Sequence, residues 1–153
     1  MTPDEWSPQI NLGASMLIPE TYVEDLAVRM SLYRRLNDLD EKEEIEGFAA
    51  EMIDRFGDLP DEVENLLEIL TVKQLCKRAG VSHIDAGPKG AVIAYHNNQP
   101  PNVEGLMQWI GTKAGTVKIR PDQKLTVVRS WDKPKQRIKG AQTILKELVA
   151  LTG

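Results

Sequence analysis

Apolar residues of the first half recur at the spacing of helix faces, and turn residues mark where each run stops. After Pro19, the positions Tyr22, Val23, Leu26, Met30, Tyr33 and Leu36 predict a helix over residues 20–36. Turn residues at 37–40 follow, and Asp40 with Glu43 three residues on has the form of an N-cap and an acidic first turn. The second helix then reaches Phe56, with Ile45, Phe48, Ala49, Met52, Ile53 and Phe56 as its apolar stripe. The run FGDLPDE reads as stop, turn and start. Gly57 stands where a left-handed cap is wanted, Pro60 opens a third helix, and Asp61 and Glu62 occupy its positively polarised first turn. On that helix Val63, Leu66, Leu67 and Leu70 share one side and Val72, Leu75, Cys76 and Ala79 roughly the other. It is therefore either covered on two sides or bent near Thr71, and Gly80 ends it.

From Val81 the pattern shortens. Residues 82–86 and 91–96 are strand-like runs joined by GPKG, a hairpin turn, and residues 116–120 and 125–129 form a second pair around PDQK. A short helix over 103–110 carries Leu106, Met107 and Trp109 between the pairs, and the spacing of Ile138, Ala141, Ile144, Leu145, Leu148 and Val149 predicts a final helix over 135–151. Upstream, residues 9–18 with Gly13 among them are either a short strand or an extended lead-in, and Trp6 and Pro8 look like the end of a linker. The predicted fold class is α+β: three N-terminal helices packed with a small antiparallel sheet and a long C-terminal helix. Residues 1–15 are read as a linker or lead-in and 16–153 as a single domain, helical over 19–80 and sheet-and-helix over 81–153.

Composition narrows the class without changing this picture. A chain of 153 residues that is 41% hydrophobic and 27% charged has room for a sizeable core and is neither fibrous nor wholly disordered. Its apolar runs fall far short of the ~18 residues that cross a bilayer. The opening MTPDEWSP is acidic where a secretory leader would be basic. A lone Cys76 offers no disulfide and no metal cluster of its own, so a reducing, cytoplasmic setting with no membrane partner is expected.

Charge adds more. Residues 1–70 hold 18 acidic and 5 basic side chains, a net −13, whereas residues 71–153 hold 5 acidic and 14 basic, a net +9. Such a dipole steers association with oppositely charged surfaces.

Catalytic signatures are missing from the sequence. His83 and His96 have no partner at metal-ligand spacing, and no phosphate-binding glycine loop or nucleophile elbow occurs. Cys76, between Leu75 and Lys77 on a helix, reads as a small buried hydrophobe. No cofactor and no catalytic residue is expected. The second helix turns Glu44, Glu51 and Asp54 away from its apolar stripe, with Glu51 and Asp54 one turn apart. These carboxylates are either a solvated face or a surface for arginines of another protein. Lys118, Arg120, Lys124, Arg129, Lys135, Arg137 and Lys139 form a basic set that is read in two ways: a phosphate-backbone contact, or a pairing surface for the acidic half or another protein.

Three runs of residues carry a resemblance: MLIPETYVEDLAVRMSLYRRL, EMIDRFGDLPDEVENLLEI and, more loosely, KQLCKRAGVSHIDAGPKGAVI, together spanning residues 16–93. They resemble the C-terminal domain of the bacterial transcription-repair coupling factors, the Mfd family, with IDRFG followed by LP as the specific core. Met30 and Met52 stand where leucine is usual, and Ser82-His83 replaces a more basic pair. The resemblance implies a parent that is an ATP-driven, magnesium-dependent DNA translocase, displaces stalled RNA polymerase and recruits nucleotide excision repair. This chain would be its last domain, non-catalytic and without a cofactor, docked on the parent's UvrB-like module so as to hide the UvrA-binding surface. Glu51 and Asp54, with Glu44 and Arg55 beside them, would then meet arginines of that module.

Overall fold

Asp25 decides where the first helix begins: its backbone is extended and its carboxylate accepts the Val28 amide at 3.0 Å, so α1 runs Leu26–Asn37. In this computed structural model, which describes residues 6–113 and 115–152, the chain divides into two units, one of residues 15–74 and one of residues before 15 together with those from 75 on. The first unit holds α1, α2 (Lys42–Phe56) and the greater part of α3 (Asp61–Ala79).

The expected start of α1 at residue 20 is corrected. Tyr22 and Val23 instead belong to a turn whose amides donate to Pro19 O, and the guanidinium of Arg29 closes that turn on the carbonyls of Val23 and Glu24. Freed from the helix, Tyr22 sends its hydroxyl to Met52 O and Gly57 O. The inward face shifts as a result. Leu32 and Leu36 are buried with Val28 and Tyr33 packed beside them, and Leu26 and Met30 face solvent. The core of this unit gathers Leu32, Leu36, Ile45, Phe48, Met52, Val63 and Leu67 with Ile18 and Val23. Asn65, its buried polar side chain, donates to Ser15 O at 2.9 Å.

Two further adjustments concern α2. Its N-cap is Glu41, one residue later than expected, because Glu44 reaches back to accept the amides of Asp40 and Glu41. Its stripe narrows to Ile45, Phe48 and Met52, with Ala49 and Phe56 half-buried, and Ile53 is 47% exposed. The Gly57 cap, at φ +95°, ends α2 as expected. Both apolar sides of α3 are buried, Val63 and Leu67 early and Val72, Leu75, Cys76 and Ala79 late.

The second unit is a five-stranded sheet, β1 (Gln9–Asn11), β2 (Val81–Gly87), β3 (Gly90–Tyr95), β4 (Val117–Ile119) and β5 (Leu125–Val128), in the order β1-β2-β3-β5-β4. Helices α4 (Val103–Thr112) and α5 (Pro134–Ala150) complete it. The two expected hairpins are present, and β3 pairs with β5. The sheet is mixed rather than purely antiparallel, because β1 runs parallel to β2 with Ile10 opposite Ile84. That strand is three residues long and falls in the stretch 9–18 read as either a short strand or a lead-in; residues 1–5 lie outside the described residues.

Strand alternation turns Ile84, Ala91, Ile93, Leu125 and Val127 into the core, where α5 contributes Ile138, Ala141, Ile144, Leu145 and Leu148. Trp131 lies so close on α5 that a Cβ at Gly140 would run into its indole ring. A side chain at Gly90, φ +129°, would likewise collide with the Val127 carbonyl.

Candidate functional site

The acidic face of α2 is not a free pair of carboxylates. Packing within the first unit brings Arg35, in the last turn of α1, alongside Glu51 in the middle of α2. Its guanidinium engages the carboxylate as a fork, Nη1 donating to Oε2 and Nη2 to Oε1, each at 2.7 Å. Arg55, one turn along α2, adds a third bond from Nη1 to Oε2 at 3.0 Å. The two guanidiniums also lie over rings, Arg35 5.0 Å from the Phe48 centroid and Arg55 4.8 Å from that of Phe56. The hydrogen bonds from Arg35, then the one from Arg55, hold the Glu51 carboxyl down at about 2, and bonding to Glu51 raises Arg35 in turn. All three side chains still see solvent: 37% of Glu51 and 43% of each arginine is exposed.

Asp54 is exposed on the same helix and, among the described residues, forms no ion pair. Glu44 is occupied in capping the helix N-terminus. Between them runs a strip of small and apolar residues, Gly47, Ala50 and Ile53, all exposed. Sequence periodicity put Ile53 inside and so missed this strip. It also missed Arg35, whose pairing depends on how α1 meets α2; the signal available was a basic residue in the last turn of the preceding helix.

The basic set falls on different sides of the second unit. Lys118 shares register with Thr126, Val92 and Asp85, on the sheet face away from α5, and Lys124 rims a shallow depression on that face beside His83, Asp85 and Ala94. Arg120 is paired with Asp122 at 3.0 Å. The guanidinium of Arg129 donates to the neighbouring Val128 carbonyl. Lys135 and the exposed Lys139 are carried by α5. Arg137 donates to the backbone carbonyls of Trp131, Asp132 and Leu12, tying the end of β1 to the start of α5.

Elsewhere Glu147 accepts from Lys113 Nζ at 3.0 Å and Trp109 Nε1 at 3.2 Å. Burial pushes its carboxyl up, but these bonds outweigh it and the net shift is downward. Cys76 is buried, and desolvation lifts its thiol to about 12. Among the described residues, no three His, Cys, Asp or Glu side chains gather as a metal site, and no helix is long and apolar enough to cross a membrane.

Comparison with known proteins points one way. The TRCF domain model matches residues 12–106. A transcription-repair-coupling factor of Rickettsia bellii is 40% identical over 122 residues, 80% of this chain and 11% of that protein. That of Escherichia coli K12 is 26% identical over 140 residues, 92% of this chain and 12% of its own length. The chain thus spans about a tenth of the length of these relatives. In fold it is similar to a crystal structure of the C-terminal domain of transcription-repair coupling factor, with a TM-score of 0.79 and 19% identity over 96% of this chain and 94% of that one.

Proposed function

Because this chain belongs to the transcription-repair coupling factor family, a family of transcription-coupled DNA repair, we propose that it is a non-catalytic regulatory domain that docks on the UvrB-like module of its own parent and masks the surface UvrA would bind. In this reading the parent is an ATP- and magnesium-dependent DNA translocase that displaces stalled RNA polymerase, and release of this domain exposes the recruiting surface for excision repair. The observation that carries it is the α2 face: Asp54, exposed and unpaired among the described residues, beside Glu51 and the apolar Ile53.

A lid must hold yet be displaceable, and charge pairs on a polar face suit that better than a large apolar patch. Tethering within one polypeptide supplies an effective concentration of order millimolar, so a weak intrinsic affinity suffices. The test is titration of this domain against the UvrB-like module at low and moderate salt, with UvrA as competitor. Salt-sensitive binding that UvrA displaces, weakened by Asp54→Ala with Glu51→Ala, is the expected result. Undiminished binding of the double variant at low salt overturns the α2 assignment. Steeply salt-dependent binding to duplex DNA, lost on removing Lys118 and Lys124, favours a nucleic-acid accessory role instead.

A further inference from the structure

We infer that Arg35 is a built-in competitor for the docking carboxylate: it holds Glu51 as a partner's guanidinium would, so that docking proceeds by exchange of one arginine for another and is weaker than the bare acidic pair would allow. This rests on the reading that the α2 face of this domain docks on an arginine-bearing surface.

A carboxylate offers two oxygens to planar donors, and the fork of Arg35 takes both at 2.7 Å with Arg55 added on one of them. An incoming guanidinium can repeat the two-pronged contact only after Arg35 leaves. Charge points the same way. Glu51 and Asp54 read as −2 in the sequence, but in the folded domain Arg35 and Arg55 both pair with Glu51, which leaves Asp54 as the carboxylate of that pair without an ion pair among the described residues. An approaching arginine is therefore drawn first to Asp54.

Arg35 is also accessible to solvent. It is 43% exposed, it lies over the Phe48 ring, and its place in the last turn of α1 suits a cation whether or not Glu51 is present. The exchange sets how readily the domain lets go.

The experiment compares Arg35→Gln, Arg35→Lys and Arg34→Gln with the unaltered domain in titrations against the UvrB-like module, folding being checked by circular dichroism. Arg34 is the neighbouring exposed cation without a contact to Glu51, so its variant removes the same charge and leaves the fork intact. Arg35→Gln is expected to bind roughly two- to fivefold tighter, the range of an exposed charge pair. Arg35→Lys, which keeps the charge and loses the fork, should fall between. Arg34→Gln should bind like the unaltered domain, and the Arg35→Gln gain should vanish when Glu51→Gln is added. Equal or weaker binding by Arg35→Gln while the unaltered domain docks overturns the exchange and leaves the docking reading intact; so does an equal gain from Arg34→Gln, which is a general charge effect. Failure of every variant, the unaltered domain included, to bind at millimolar concentration removes both.

Discussion

Glu51 is the side chain whose surroundings make the most definite demand on solution behaviour. Its carboxyl is held at about 2 against an ordinary 4.5, so the folded state binds fewer protons than the unfolded one between those values. The stabilisation is therefore fully present above about pH 4.5 and is lost as pH falls towards 2. Because the group and both arginines are well exposed, its size is at most about 1 kcal/mol. Glu51→Gln should accordingly unfold at slightly lower urea than the unaltered chain at pH 7, and the gap should close at pH 2.5. A gap that stays constant with pH would mean that the Arg35 fork does not persist in solution. Cys76 makes a simpler demand: with its thiol buried and pushed up to about 12, it should react with a thiol reagent only as fast as the native state opens. Reaction at the rate of a free thiol would contradict that burial.

At the scale of elements, α2 tests the helix phase and one unexplained glycine. Met52 is fully buried, Phe56 half-buried against Tyr22 with ring centroids 5.7 Å apart, and Ile53 largely exposed. Truncation to alanine should cost ~2–5 kcal/mol at Met52, about half of that at Phe56 and under ~0.5 kcal/mol at Ile53, measured by urea unfolding. Gly47 sits mid-helix with nothing within 4 Å of where a Cβ would be, so Gly47→Ala should stabilise the domain by ~0.5–1 kcal/mol. A destabilised Gly47→Ala would show a contact at that face. Much of this was readable beforehand. The FGDLPDE stop and start, both hairpins and the last helix carry their own caps, turns and period. The start of the first helix is not legible in the period because Tyr22 and Val23 keep it while lying outside; the Asp25 cap on Val28, the turn on Pro19 and the Arg29 contacts separate the two. Arg35 was invisible for another reason: a pairing sixteen residues apart between helices depends on their packing, which no local pattern encodes.

Across the whole molecule, chain order and structural unit do not coincide. The sheet unit is assembled from both ends of the described chain, with residues 15–74 inserted between β1 and β2. A three-residue parallel strand has little pairing energy of its own, so β1 depends on what surrounds it: Leu12 buried to 1% exposure, Arg137 bonded to the Leu12 carbonyl, and Trp6 stacked on His96 at 4.6 Å. Of the two readings of residues 9–18, a short strand or a lead-in, the strand is the one present over Gln9–Asn11, and Leu12 beside it is a core side chain. The placement of the tryptophans allows this to be tested, since Trp6, Trp109 and Trp131 all belong to the sheet unit while α1, α2 and most of α3 belong to the other. Tryptophan fluorescence therefore follows one unit, and far-ultraviolet circular dichroism follows the helices of both. Leu12→Ala should lower the fluorescence-detected unfolding midpoint by the equivalent of ~2–5 kcal/mol, and Met52→Ala should act chiefly on the dichroism transition. Unchanged fluorescence unfolding of Leu12→Ala would mean that β1 is a dispensable tether and adds nothing to the stability of the sheet unit.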